Sequence, residues 1–485
     1  MPIANQIVRY ASSSVFKRLL GIFYAFIKPK LLTPEMLGLW SLLALLPRYS
    51  VFADLGTRAG MRFQLPLLRA RGDHAGSDQT QASVLLGTLA TYGVVAAVLG
   101  VFAIIWNGAP EIRWGLATMA VVVLLRWYSG YRRTLVKARE QFPILSRANY
   151  LQAILTVSLG VPGLLWMGIY GLFLSLLLAE AVLCLYLGLG DQRFPPGRFS
   201  RERFVELIQK GAPIMAFNLF TLAIRSVDRV IVVAMLGLQQ MGFYALAVTL
   251  FSLLVQIPGA GREVMEPNLM RRSVAIGNDE LVRDHLFSPL IHSAALMPFL
   301  IGPVLFLLPP ILPVLLPRYE ASVAPAQVLA LASYFMALVF ASRGLIVSRG
   351  LQLPALVVLG GALLVNVLTT QALLSLGLGL VGAGIGSLLA LIGLYGGLYL
   401  FIQRRVANRI AGAEWFEVFL ASLLPILLTL GLFLALRQAG LADSSTELLP
   451  GIVGWLLHGL AMLGLLYLDG RHFSGLRLPG RARRA

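Results

Sequence analysis

The sequence predicts an all-α polytopic membrane protein of about fourteen transmembrane helices, arranged as two pseudo-symmetric six-helix lobes plus two C-terminal helices. Three observations predict it. Of 485 residues, 58% are apolar and only 13% charged, against the roughly 25% that dresses a water-facing globule. The apolar residues come in long blocks: 300–316, 351–374 and 420–436 carry almost no charge, as hydrocarbon-spanning helices require. Basic residues also gather at alternate connections, the mark of a chain threaded repeatedly through a bilayer.

The elements follow in order. The first span, 11–32, is apolar throughout and no small-residue cleavage site follows it, so it reads as a membrane helix instead of a leader. Spans 36–65, 81–106, 113–136, 147–167 and 169–189 complete an N-lobe over 1–190. A cytoplasmic amphipathic linker, 191–208, comes next; its Phe199 and Phe204, with Leu207 and Ile208, are expected to lie in the membrane interface while its arginines meet anionic lipid. The C-lobe, 209–403, holds spans 209–236, 240–267, 286–308, 325–348, 353–376 and 381–402. Spans 415–436 and 449–468 form an appendix over 404–470, and a basic cytoplasmic tail covers 471–485. Pro47, Pro162, Pro213 and Pro258 fall within or at the edges of spans and are expected to bend them.

The net charge is +18, from 40 Lys+Arg against 22 Asp+Glu. On a soluble chain that would suggest a nucleic-acid partner; on this one the distribution points to membrane topology, and nucleic acid is set aside. With the N-terminus inside, the inner loops and tail hold 26 basic residues and the outer ends five, which places both termini in the cytoplasm. The single Cys184 excludes an intrachain disulfide. The five histidines have no cysteine or carboxylate partners at metal spacing, and no Walker A sequence is present, so no metal, cofactor or ATP hydrolysis is expected.

An internal repeat supports the two lobes. Pro34–Leu42 opens span two and Leu238–Leu246 opens span eight; at an offset of 204 residues, Gly38, Leu39, Trp40 and Leu42 meet Gly242, Phe243, Tyr244 and Leu246. Leu32–Trp40 followed by Asp54-Leu55-Gly56 resembles the signature of bacterial oligosaccharide flippases. These form the polysaccharide transporter family of the multidrug/oligosaccharidyl-lipid/polysaccharide superfamily. Lys210–Pro213 leading to Ser226–Arg229, Leu236–Leu246, Leu315–Tyr319 and Gly382–Gly386 are similar to that family's pattern, in order, from span two to span twelve. The resemblance implies a bacterial inner-membrane flippase. Its substrate would be an undecaprenyl-pyrophosphate-linked glycan such as an O-antigen unit, and its neighbours a polysaccharide polymerase or glycosyltransferase.

The informative residues are charges inside spans: Arg48, Asp54 and Arg58 in span two, and Arg225, Asp228 and Arg229 in span seven. An arginine at mid-bilayer costs roughly 2.5–3.5 kcal/mol even on the lenient insertion scale, so these groups are expected to face one another or a wet cavity. A pyrophosphate-linked headgroup presents anionic oxygens that guanidinium groups hold with paired hydrogen bonds, which makes Arg48, Arg58, Arg225 and Arg229 a candidate clamp. The structural alternative stays open, because Asp54 and Arg58 are spaced i,i+4 and Asp228 lies between Arg225 and Arg229. Glu180 and Glu263 are candidates for ion coupling; Glu180 has no basic residue within a turn of its own helix. Asn366 is read as interhelical glue, and the Gly382–Gly386 run as small-residue helix packing.

Three alternatives are weighed. A drug exporter of the same superfamily would be expected to show twelve spans and an acidic cavity, whereas a lipid II flippase would share fourteen spans and a cationic one. A polysaccharide polymerase or ligase would carry a large outer loop, and the longest here, about 309–323 and 437–448, are too short for an ordered catalytic domain.

Overall fold

The computed structural model describes residues 3–189, 197–275, 278–406, 410–440 and 448–473. Among them every regular element is helical, and nine segments are long and apolar enough to cross a membrane. The chain divides into two compact units, Met1–Leu219 and Phe220–Ala485.

In the first unit, α1 (Ile3–Leu31) is followed by α2 (Pro34–Leu43), whose start is set by Thr33 and by Pro34, with its fixed φ, in the first turn. The short α3 (Leu46–Tyr49) and a 3-10 turn over Ser50–Asp54 lead to α4 (Thr57–Ala70). Asp73 caps α5 (His74–Ile105) by accepting from the Gly76 N–H at 2.8 Å, and α6 (Pro110–Ala138) again opens on a proline. In α7 (Phe142–Leu189) the backbone leaves helical geometry at Gly168, φ 56° and ψ −131°. Gly163 and Gly171, about 12 Å apart along a straight helix, touch backbone to backbone, so the two arms of α7 fold back on each other. These are the expected spans five and six. Helix α1 packs on α7, α5 on α6, and α6 on α7.

The expected span over 36–65 is interrupted at Pro47, as that proline implied, and also at a second place. The helix breaks twice, at Ala44–Leu45 just before Pro47 and again at Leu55–Gly56, where both residues are left-handed at φ 53° and 84°. Proline accounts for the first break, having no N–H to continue the ladder. Close packing accounts for the second: a Cβ at Gly56 would strike the backbone of Gly211 in α8 (Arg201–Ile224), and one at Gly60 would meet the Leu207 carbonyl at 2.6 Å.

That packing also corrects one residue of the linker: Leu207, expected in the membrane interface, faces inward. Leu207 is fully buried in a cluster with Met61, Leu65, Val84, Leu85, Tyr131 and Leu135, and the Phe204 ring covers Gly87. Gln64 donates to Glu206 at 2.8 Å and the Ser200 N–H donates to Ser83 at 2.9 Å. The first part of α8 is thus laid along α4 and α5 within the first unit.

The second unit begins in the last turns of α8. Span seven is also broken: α8 ends at Ile224 and α9 (Val227–Ala275) begins after Arg225 and Ser226, then leaves helical geometry at Gly237, φ 85° and ψ 177°. The break has its own support. Ser226 Oγ donates to the Leu222 carbonyl at 2.7 Å, and Asn366 Nδ2 donates to the Ile224 carbonyl at 2.7 Å, satisfying an acceptor that the missing turn leaves.

Helix α10 (Asn278–Val282) passes through a π-helical turn, Arg283–Phe287, into α11 (Ser288–Phe306) and α12 (Leu308–Leu315). After a 3-10 turn at Pro317–Ser322 come α13 (Val323–Ser348), α14 (Gln352–Ser375), α15 (Gly379–Arg405), α16 (Gly412–Gln438) and α17 (Leu448–Phe473). Helix α13 is the most enclosed span, packed on α9, α11 and α15. Small residues let α15 approach its neighbours as the sequence suggests: Gly386 lies against Thr370 of α14 and Gly384 against Val328 of α13. Helices α16 and α17 pack on α11, and their far faces present Leu427, Leu449 and Leu460 at 60% exposure or more, as lipid-facing surface should.

Candidate functional site

In the first unit the break in span two is built around a carboxylate. Asp54 is 6% exposed. Its Oδ1 accepts from the Gly56 N–H at 2.8 Å, its backbone carbonyl accepts from Thr57 Oγ1 at 2.8 Å, and Oδ2 accepts from Arg58 Nε at 2.6 Å. Asp54 therefore holds the left-handed turn and anchors the start of α4 at once. The Arg58 guanidinium reaches on to Tyr92 Oη and to the Val51 carbonyl, and lies against Gly130, where no side chain blocks it. The i,i+4 pair expected from spacing is formed, and Arg58 is tied down on every side that these contacts describe. Arg48, on α3, is exposed.

In the second unit the break in span seven is also built beside a carboxylate. Asp228 is 3% exposed. Tyr244 Oη donates to its Oδ2 at 2.6 Å, Ser387 Oγ donates to the same oxygen at 2.9 Å, and the Arg229 N–H donates to Oδ1 at 2.9 Å. Hydroxyls from α9 and α15 thus take one oxygen, and a backbone amide the other. Tyr244 is the aromatic of the internal repeat, so the repeat residue bonds directly to the motif residue. Arg229 is 6% exposed; the half-buried Arg225 sits in the unwound turn with its guanidinium 5.6 Å from the Phe251 ring centre. Asn366, which caps α8, accepts in turn from Thr370 Oγ1 at 3.0 Å.

Glu180 has no basic residue within a turn of its own helix, but it gains one from another. Arg126 of α6 donates through Nε to Glu180 Oε1 at 2.9 Å, and Gln152 Nε2 lies 3.4 Å from the same oxygen. The partner comes from another helix, 54 residues away in sequence, beyond the reach of a search along one helix. Glu263 falls where no side chain is described.

Around Glu180 stands a polar cluster that the sequence reading missed. Lys17 of α1 donates to Gln152 Oε1 at 2.7 Å, and Arg133 of α6 donates to Gln152 Oε1 at 2.9 Å and to Asn149 Oδ1 at 3.0 Å. Arg132 donates through Nε and one terminal nitrogen to the Leu187 carbonyl at 3.0 and 2.8 Å. Arg132 and Arg133 were counted as loop charges; both lie inside α6 and bond within the bundle. The signal was present, since Lys17 and Arg126 are charges inside apolar spans, the same criterion that singled out spans two and seven.

A sequence-family model described as a polysaccharide biosynthesis protein matches residues 29–323. No curated protein matches the chain in sequence. Among solved structures, the inward closed lipid II flippase MurJ has a TM-score of 0.68 at 12% identity, covering 95% of this chain and 99% of that one. An inward-facing multidrug resistance MATE family transporter of the MOP superfamily has 0.66 at 13% identity, covering 80% and 95%. The eukaryotic MATE transporter AtDTX14 has 0.59 at 13% identity, covering 87% and 97%. At these identities the likeness is one of fold.

Proposed function

Because this chain belongs to the polysaccharide biosynthesis protein family, we propose that it is a flippase for an undecaprenyl-pyrophosphate-linked oligosaccharide. An O-antigen or exopolysaccharide repeat unit fits that description. It moves the glycan from the inner to the outer leaflet of a bacterial cytoplasmic membrane by alternating access, without making or breaking a bond.

One observation carries the reading: cationic side chains sit at the broken turn of the expected span seven, Arg225 in the unwound pair between α8 and α9 and Arg229 buried directly after it. A helix is seldom broken in hydrocarbon unless the freed backbone serves a polar site. Guanidinium groups there match the phosphate oxygens of a lipid pyrophosphate, while the acyl tail stays in the bilayer. Arg225 and Arg229 of the second unit are assigned to the headgroup, and so, independently, is Arg48 of the first. Arg58 is assigned to Asp54 and Tyr92, whose contacts account for it. The cytoplasmic arginines are the surface on which a polymerase or glycosyltransferase would dock.

A second reading, a lipid II-type flippase, is favoured over a drug exporter by the extent of the MurJ match, 95% of this chain against 80% and 87% for the MATE structures. It shares the same headgroup chemistry and differs in the glycan.

The test is leaflet-resolved analysis of lipid-linked intermediates in a strain deleted for this gene. Intermediates should accumulate on the cytoplasmic face and be cleared by the wild-type chain but not by Arg225→Ala. Intermediates that reach the outer face and remain unpolymerised would replace this reading with that of a polymerase or ligase.

A further inference from the structure

A cavity of about 530 Å³ opens in the first unit where α4 turns into α5, away from the broken spans and from the Glu180 cluster. Asp73 and Asp78 bring carboxylates to it, and Arg198 and Arg203 bring guanidinium groups from the linker and α8. Its volume lies within the roughly 300–1,000 Å³ of small-molecule sites. A glycine explains how the two sets of charges meet. A Cβ at Gly197 would fall 2.6 Å from the Asp78 carbonyl carbon and oxygen, so only a bare backbone lets the linker lie this close to α5. The Ser200 N–H, donating to Ser83 Oγ at 2.9 Å, fixes the same contact further along. Ser200 Oγ in turn accepts from the Arg203 N–H at 3.3 Å.

Opposite charges that share a cavity normally pair, and here they do not. Among the described residues neither Asp73 nor Asp78 enters an ion pair. Asp73 caps α5 through one oxygen, and Asp78 accepts from Gln81 Nε2 at 3.4 Å. Arg198 is exposed and also in no ion pair among the described residues, while Arg203 gives one terminal nitrogen to Glu206 at 3.2 Å. Carboxylates and guanidinium groups held across open space suit a ligand that carries both charges itself. The place selects the source of that ligand. The turn leads into α5, a helix long and apolar enough to cross a membrane, so the cavity stands at the membrane surface. Apolar side chains flank it: Leu67, in the last turn of α4, is 59% exposed, and Phe199, beside Arg198, is 46% exposed.

We propose that this cavity binds the phosphoethanolamine headgroup of a zwitterionic membrane lipid, its ammonium on Asp73 and Asp78 and its phosphate on Arg198 and Arg203. An ammonium has three N–H groups for the carboxylates to accept, and the guanidinium fork matches phosphate oxygens. A trimethylated amine has no N–H to donate. A headgroup without an amine leaves both carboxylates facing its phosphate. The site therefore selects among lipids of similar size, and a lipid held there ties the linker to the head of α5. It goes beyond the flippase reading and does not depend on it, since it uses none of the residues assigned to the transported substrate.

The experiment counts lipids retained by the full chain in detergent, by native mass spectrometry. Phosphatidylethanolamine, phosphatidylcholine and phosphatidylglycerol with identical acyl chains are supplied at equal concentration. Wild type should retain phosphatidylethanolamine about three- to five-fold over the other two, the scale of a part-exposed charge pair. Asp73→Asn with Asp78→Asn should abolish that preference and bind phosphatidylglycerol about three-fold better than wild type, a gain that misfolding cannot produce. Asparagine caps a helix as well as aspartate does, so α5 keeps its start. Arg198→Gln should lower phosphatidylethanolamine binding by about three-fold. Displacement of the bound lipid by soluble glycerophosphoethanolamine supports the headgroup as the part that is read. Equal retention of the three lipids by wild type overturns the site, as does a preference that survives in the double variant. Glycerophosphoethanolamine bound where no lipid is preferred overturns the membrane lipid as its source.

Discussion

Arg58 separates what spacing reveals from what it hides. The i,i+4 distance to Asp54 was visible in the sequence and the ion pair is formed; the Tyr92 hydroxyl and the bare Gly130 surface beneath the guanidinium were not, because they arrive from α5 and α6. The pair is well enclosed, with side chains 13% and 9% exposed, so removing one partner leaves a charge with little water. Arg58→Ala should therefore cost about 3–5 kcal/mol, seen as reduced protein level and a lower unfolding temperature in detergent. Tyr92→Phe should cost less, about 1.5–3 kcal/mol, the net worth of a hydrogen bond to a charged group. If Arg58→Ala instead leaves stability unchanged and abolishes export, Arg58 belongs to the headgroup site and not to the scaffold. Glu180 is the converse case, since its partner was invisible along its own helix.

At the scale of elements, the order of helices was largely legible, because apolar length and proline, glycine and threonine signals act within a few residues. The break before Pro47 was legible as well; the other two were less so. The left-handed turn at Leu55–Gly56 is held by Asp54 and packed against α8, and Ile224 ends its helix where Asn366 of α14 takes its carbonyl. The partners on α8 and α14 lie far away in sequence. Asn366→Leu should strand that buried carbonyl and cost about 1–3 kcal/mol, while Ser226→Ala, which removes a local bond only, should cost less. Thermal unfolding of the two variants checks the order, and a larger loss for Ser226→Ala would refute the capping role. The start of α8 carries a pH dependence. Hydrogen bonds from Lys210, then from Arg203, hold the Glu206 carboxyl below the usual range. A carboxyl depressed on folding stabilises fully above its unfolded value, near 4.3, and loses that contribution as pH falls through its folded value. The group is one-third exposed, so the effect is at most about 1 kcal/mol. Amide exchange over 201–210, corrected for intrinsic rates, should be level from pH 7 to 5 and rise only below about pH 4. A rise between pH 7 and 5 would refute it.

For the whole molecule, orientation is written in the distribution of basic residues along the chain. Not every one of the inner 26 lies in a connection: Arg132 and Arg133 sit in α6, where Arg132 serves a helix-end carbonyl and Arg133 two amides, while Arg139 donates to Gln81 and Arg283 to Glu414. The bias survives because it is distributed: Arg69 and Arg71, Arg404 and Arg405, and the arginines of 471–485 each mark the same side independently. Charges that bond inside the bundle contribute to the fold; those at helix ends and in short connections vote on topology, and their vote yields a definite expectation. Alkaline phosphatase joined after Gly108 should be active and after Arg71 inactive, while a fluorescent protein at the C-terminus should mature in the cytoplasm. The reverse pattern would turn the molecule over, put its arginine-rich connections outside, and remove the basis for loading a cytoplasmic lipid-linked substrate.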